Sequence, residues 1–301
     1  MGWVVLAALL WSSVGPLSRL ALASGLPPLD VALGRALVAA ACFGVHAVAS
    51  GGAAPARRDA PALVAFAAIG VAGLFAMNQL AVAAGGAALA TILLYTAPIW
   101  VTAAAPLLGE RVRARAAVAA VTAAGGIAVL AAGGGGVRAT PPALLWGLGS
   151  GAAYALYSAL GKRLVRRAAP ETVFALALPI AAAALVALGA RPSLPPARQA
   201  APVIAIGLLS YGASLAYARG LRVLPAARAA ILATLEPIGA AILAFALFGE
   251  RVAVPGAAIA LVAIVAGTTG PGRRPPDRAI GAGADAPPAS PARPPRAIAP
   301  G

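Results

Sequence analysis

The sequence predicts an all-α membrane protein of ten transmembrane helices, arranged as two inverted five-helix repeats. Three observations carry this reading. The 301 residues are 61% apolar and 10% charged, against about 45–50% and about 25% in soluble domains. The apolar residues gather into ten long runs. A string of residues from the first half of the chain recurs in the second. Mean hydropathy is +0.91, so there is too little polar surface to cover a soluble domain of this size.

The ten runs lie at 3–23, 29–50, 62–83, 87–108, 115–133, 142–161, 172–190, 200–218, 224–248 and 253–270. Each is close to the ~20 residues that cross a bilayer as a helix. They are continuous and rich in Leu and Ala rather than alternating, which favours helices over barrel strands. The first run lacks Lys or Arg before its apolar stretch, which argues against a cleavable signal peptide, although Ala21-Leu22-Ala23 resembles a cleavage box. Gly133 to Gly136 lack a following Lys-Ser/Thr, so they read as a flexible external linker rather than a nucleotide loop. Residues 271–301 include nine prolines with Gly, Ala and Arg. That composition cannot bury a core and predicts a disordered tail. The expected organisation is therefore a first repeat over 1–133, a linker over 134–141, a second repeat over 142–270 and a cytoplasmic tail over 271–301.

Several functions are excluded or disfavoured. Cys42 is the single cysteine and His46 the single histidine, so neither a Cys-based zinc site nor a His-cluster metal site is expected. No cofactor is implied. The net charge of +15 does not point to nucleic acid, because the basic residues are scattered between apolar runs, as in membrane proteins.

Loop charge sets the orientation. On the N-terminal side stand Arg57, Arg58, Arg111, Arg113, Arg115, Lys162, Arg163, Arg166, Arg167, Arg219 and Arg222. The other side has Arg138, Arg191, Arg198 and Arg251. The positive-inside rule then puts both termini in the cytoplasm of a multi-pass plasma or inner membrane protein.

The repeated string runs from Ala90 through Tyr95 and Pro98 to Gly109-Glu110-Arg111-Val112, and again from Ala229 through Glu236 and Pro237 to Gly249-Glu250-Arg251-Val252. Each half holds five spans, and an odd number forces the second half to insert upside down. Inverted halves that rock about a shared midplane site are a transporter architecture. The paired Pro…Gly-Glu-Arg-Val strings and the Trp11-Ser12-Ser13 opening resemble the EamA-type drug/metabolite transporters over roughly residues 3–270. The resemblance implies ten helices in two repeats and movement of small metabolites across the inner membrane without ATP hydrolysis. The stretch from Pro98 to Glu110 is one residue shorter than that from Pro237 to Glu250. One residue turns a helix by about 100°, so a role carried over to Glu110 is less secure than one carried over to Glu250.

Glu236 is the sharpest site candidate, at the centre of the ninth span. A carboxylate at that depth costs about 3 kcal/mol on insertion scales. It must face a cavity, find a partner or carry a proton, which makes proton coupling chemically reasonable; the alternative is a neutral acid packed against a neighbouring helix. Arg35, early in the second span, either snorkels to the surface or points inward to an anionic group or to Glu236. Pro98 and Pro237 each remove a backbone donor in mid-span and are the helix-break candidates. Polar stripes at helical spacing add Thr91, Tyr95 and Thr102; Ser150, Tyr154, Tyr157 and Ser158; and Ser210, Tyr211 and Ser214. Asn78 and Gln79 join them from the third span, and Trp11 with Ser12 and Ser13 from the first. Asn78, Tyr95, Tyr211, Trp11 and Tyr154 are the best of these as substrate contacts. Many of the Ser and Thr residues serve equally well as bonds between helices.

The expectation is a secondary transporter, not an enzyme: an exporter of small metabolites or drug-like molecules by alternating access, in contact with lipid and with its substrate. A homodimer is left open. The alternative from another class is an intramembrane enzyme or lipid-modifying protein, which would need clustered acid, base or metal residues.

Overall fold

Proline and glycine punctuate nearly every helix. The structure, a computed structural model, describes residues 1–104, 139–192 and 196–248, together with positions 117, 118, 120–122, 124, 125, 129 and 262. Among these residues every regular element is helical, and six helical stretches are long and apolar enough to cross a membrane. The chain divides into Met1–Thr269 and Gly270–Gly301. The tail, both Gly-Glu-Arg-Val strings, the four-glycine run, more than half of the fifth run and all of the tenth but position 262 lie outside the described residues.

The first span is two helices, α1 (Gly2–Ser12) and α2 (Val14–Ala23). Pro16 has no N–H to give the Ser12 carbonyl, and the chain tightens at Ser13, whose N–H reaches Leu10 at 3.4 Å. Next, α3 (Pro28–Ser50) starts with proline in its first turn, where a missing N–H costs nothing. It stops at Gly51, whose φ of 60° is the left-handed cap geometry that glycine adopts freely. The third span begins with a 3₁₀ turn (Arg57–Asp59) and α4 (Ala60–Ala65), then widens into a π-helical stretch (Phe66–Gly73). It continues as α5 (Leu74–Leu94), which bends at Gly86 with φ 85° and so enters the fourth span. That span resumes after Tyr95 and Thr96 as α6 (Ala97–Ala104).

In the second half, α7 (Pro141–Val165) is capped by Thr140, whose Oγ1 accepts from the Ala143 N–H at 3.3 Å. Then come α8 (Pro170–Ala187) and α9 (Ala197–Val223). The ninth span is again broken, into α10 (Ala226–Ala233) and α11 (Leu235–Phe248), with Thr234 between them.

The packing partners exchange between halves. The first span packs on α9, and its counterpart α7 packs on the π-helical stretch and α5; α1 packs on α11, and α7 on α6. The helix α3 packs on α9 as α8 packs on the π-helical stretch. Two pairs cross directly: α3 on α8, and α6 on α10.

Solvation is inside out. Leu9, Leu37, Val45, Val48, Leu145 and Leu208 are exposed, while Ser12, Gln79, Ser158, Ser214 and Thr234 are buried. A hydrocarbon surround explains both, because it solvates leucine and leaves polar groups to find partners within the bundle. Several hydroxyls do so on their own helix: Ser150 donates to Gly147 at 2.7 Å, Ser210 to Ile206 at 2.6 Å, and Thr102 to Pro98 at 2.6 Å.

Candidate functional site: a polar aromatic cluster at three helix breaks

The three interrupted spans meet through Glu236. Ser12, at the end of α1, donates its hydroxyl to the main-chain carbonyl of Glu236 at 2.9 Å and also lies 2.8 Å from the Ala8 carbonyl. The close approach depends on Gly239, where an added Cβ would overlap the Ser12 hydroxyl. The Glu236 carboxyl group is within interaction range of the Tyr95 hydroxyl, at the break in the fourth span, and of the Arg35 guanidinium. The breaks have a common cause. Pro98 cannot donate to Leu94, nor Pro237 to Ala233, so neither helix runs on unbroken through that point. Glu236 lies in the first turn of α11, where a helix favours negative charge. On the other side of the fourth-span break, the Thr96 hydroxyl donates to Leu93 at 2.6 Å. Gly151 of α7 packs so tightly there that an added Cβ would crowd the Leu93 carbonyl at 2.9 Å.

Around this junction stands a wall of rings. Trp11 meets Tyr154 edge-on at 6.3 Å and Tyr217 at 5.3 Å. Tyr157 lies 6.0 Å from both Tyr154 and Tyr217. The Tyr217 hydroxyl shares a 2.8 Å hydrogen bond with Ser158. From α3, Arg35 lays its guanidinium over the Phe75 ring at 3.9 Å, a cation–π contact. Gln79 donates to the Ser18 hydroxyl at 3.3 Å.

The cluster holds more hydrogen-bonding capacity than it uses. Among the described residues, Trp11 Nε1, Arg35 Nε and Gln79 Oε1 are buried with no hydrogen-bond partner, and the hydroxyls of Tyr95, Tyr154 and Tyr157 face Glu236, Tyr217 and Ser214 without a well-formed hydrogen bond. Each unmade bond of this kind costs about 1–3 kcal/mol, so native interiors hold few. These six atoms, one of them on Arg35 itself, are a ready set of donors and acceptors for a polar, ring-bearing molecule.

Of the residues singled out from the sequence, Trp11, Arg35, Tyr95, Tyr154 and Glu236 come together here. Asn78 is half-buried on α5, one residue before the bonded Gln79. Tyr211 lies elsewhere: its hydroxyl bonds His46 Nδ1 at 2.8 Å, and its ring meets Phe43 edge-on at 4.7 Å. Pro98 and Pro237 each lie in the first turn after a break. The sequence reading passed over Tyr217 and Phe75, and gave Tyr157 and Gln79 less weight than their burial supports. A signal for Tyr217 was present. Ser210, Ser214 and Tyr217 repeat at i, i+4 and i+7 and share one helix face, which is the buried one. Tyr211 falls about 100° away from it.

An apolar-surfaced helical bundle with a polar aromatic centre at its helix breaks is a multi-pass membrane protein. The model of the EamA-like transporter family matches residues 1–132 and again residues 141–270. The chain belongs to that family and is a membrane transporter of the drug/metabolite type, with a small molecule as substrate and lipid as surroundings. A crystal structure of another protein, 19% identical in sequence, shares the fold, with a TM-score of 0.73 over 88% of this chain and 96% of that one. No curated protein matches the chain.

Proposed function

We propose that the protein is a secondary transporter that exports small amphipathic metabolites or drug-like molecules across the cell membrane by alternating access, with the aromatic cluster as its binding site. In this reading the repeats are inverted, the ten spans form two five-helix halves, and both termini are cytoplasmic. The observation that carries the site is the gathering of the buried Tyr95, Tyr154 and Tyr157 hydroxyls about Glu236 and Arg35, where three broken helices meet. The exchange of packing partners between halves supports a pseudo-two-fold axis through that point. Glu236 is the coupling group in this account: binding and release of a proton there change its hold on Arg35 and on the substrate, which ties proton movement to transport.

The test is accumulation in proteoliposomes. Candidate solutes are drawn from a comparison of medium and cells with and without expression. Protein-dependent, protonophore-sensitive movement of at least one such solute is expected. Equal movement in protein-free vesicles for all of them contradicts the reading.

A further inference from the structure

Asp59 is a buried acid far from the central cluster. It sits in the 3₁₀ turn that opens the third span, with its side chain 2% exposed. Arg167, just past α7, donates to its Oδ1 at 3.0 Å, and Arg163 lies 3.9 Å from the same oxygen. Both arginines are half exposed. The pair joins the two halves of the chain at one end of the bundle. Two hydrogen bonds run beside it: Ala169 N–H to the Ala53 carbonyl at 2.9 Å, and the Thr172 hydroxyl to the Gly52 carbonyl at 3.1 Å. At the same end Arg222 donates to the carbonyls of Val165 and Ala168 at 2.8 and 2.7 Å.

Between this network and the cluster lies an apolar layer. Phe66, Leu164, Val165, Phe174 and Leu221 are all at most 3% exposed. All of these but Leu164 bound, with Tyr157, Tyr217 and Ala218, a crevice too narrow for water. The two members of the ion pair are each wired to this layer. Asp59 leads through α4 to Phe66, the first residue of the π-helical stretch, and Arg167 lies two residues past Val165. A π-helical segment is an adjustable irregularity of a helix, and here Gly70 within it packs against the main chain of Tyr157, with room for a Cβ only at 3.1 Å.

We propose that the Asp59–Arg167 pair is the latch of a gate, closed in this structure, that seals the central cluster from the end of the bundle carrying Asp59. Separating the pair lets α4 and the end of α7 part. Phe66 and Val165 then move away from each other, and the path from Tyr157 and Tyr217 to that end opens. A buried carboxylate holds its partner strongly, because separation leaves it without compensation, so the pair sets how often the gate opens. This inference rests on the transport reading, but its test does not need a substrate.

The experiment uses the full chain with Cys42→Ala and a reporter cysteine, Ala218→Cys, in the apolar layer. Vesicles expose the Asp59 end to a membrane-impermeant thiol reagent. Labelling is slow in the parent and at least about fivefold faster in Asp59→Asn, as expected for a shifted open population. Arg163→Gln combined with Arg167→Gln, at half-exposed positions, gives the same rise and decides the matter where Asp59→Asn does not fold. A second reporter, Ala7→Cys, at a fully buried position of α1, stays protected throughout. Labelling within about twofold of the parent in the double arginine variant overturns the gate, and so does an equal rise at Ala7→Cys, which reports general loosening. Failure of the parent protein to move any solute counts against the transport reading and leaves these labelling ratios to judge the gate alone.

Discussion

The Ser12 hydroxyl and the Glu236 main-chain carbonyl lie 2.9 Å apart, and this contact pins the break in the first span to the break in the ninth. Ser12 has one proton and two acceptors in range, Ala8 and Glu236. The bond across helices therefore competes with one within α1, which is the arrangement expected where two elements must move past each other.

Gly239 makes that approach possible. Gly239→Ala places a methyl group onto the Ser12 side chain and costs about 1–3 kcal/mol by overpacking. Ser12→Ala loses a modest bond, about 1 kcal/mol. Thermal unfolding in detergent checks both, with Gly239→Ala expected to be the less stable. The reverse order contradicts the close packing of α1 on α11.

Tyr154 and Tyr217 separate binding from folding. The Tyr217 hydroxyl is bonded to Ser158, so Tyr217→Phe leaves a buried partner unpaired and lowers stability by about 1–3 kcal/mol. The Tyr154 hydroxyl faces that of Tyr217 but makes no well-formed hydrogen bond. Tyr154→Phe is expected to lose less stability than Tyr217→Phe and to bind substrate up to tenfold more weakly, equivalent to about 1.4 kcal/mol. Melting temperature and substrate affinity, measured on both variants, are expected to move in opposite patterns.

Much of the fold was legible in the chain because lipid demands long apolar runs, and proline marks where a helix must break. The resemblance to the EamA-type transporters rested on the repeated string, and the family match bears it out. The site was legible only in part. Glu236, Tyr95 and Trp11 were conspicuous as large or charged groups in apolar surroundings. Tyr211 and Tyr217 lie on the same helix, and composition could not choose between them. Helix face decides: Tyr217 shares the buried face with Ser210 and Ser214, and Tyr211 turns toward His46. Asp59 carried no signal, since an acid beside Arg57 and Arg58 in a loop reads as solvated, and its burial comes from Arg167, which is distant in sequence.

Arg35 and Glu236 are expected to act as a pair. Arg35→Gln leaves the acid without its charge partner, and Glu236→Gln does the same to the base. The double variant is expected to lose less stability than the sum of the two single losses, with a coupling energy of about 0.5–3 kcal/mol. Additive losses in thermal unfolding show that the two groups do not interact and place Arg35 with Phe75 alone.

Glu236 is the group on which the account turns, and a pH series of transport in proteoliposomes tests it most directly. Glutamine keeps the shape of a protonated glutamic acid but cannot release a proton. The account predicts that Glu236→Gln folds, still binds substrate, and moves it at a rate that no longer changes with pH, while the parent remains pH-dependent. A Glu236→Gln protein with the parent's rate and pH profile contradicts it and removes this carboxyl from the coupling mechanism.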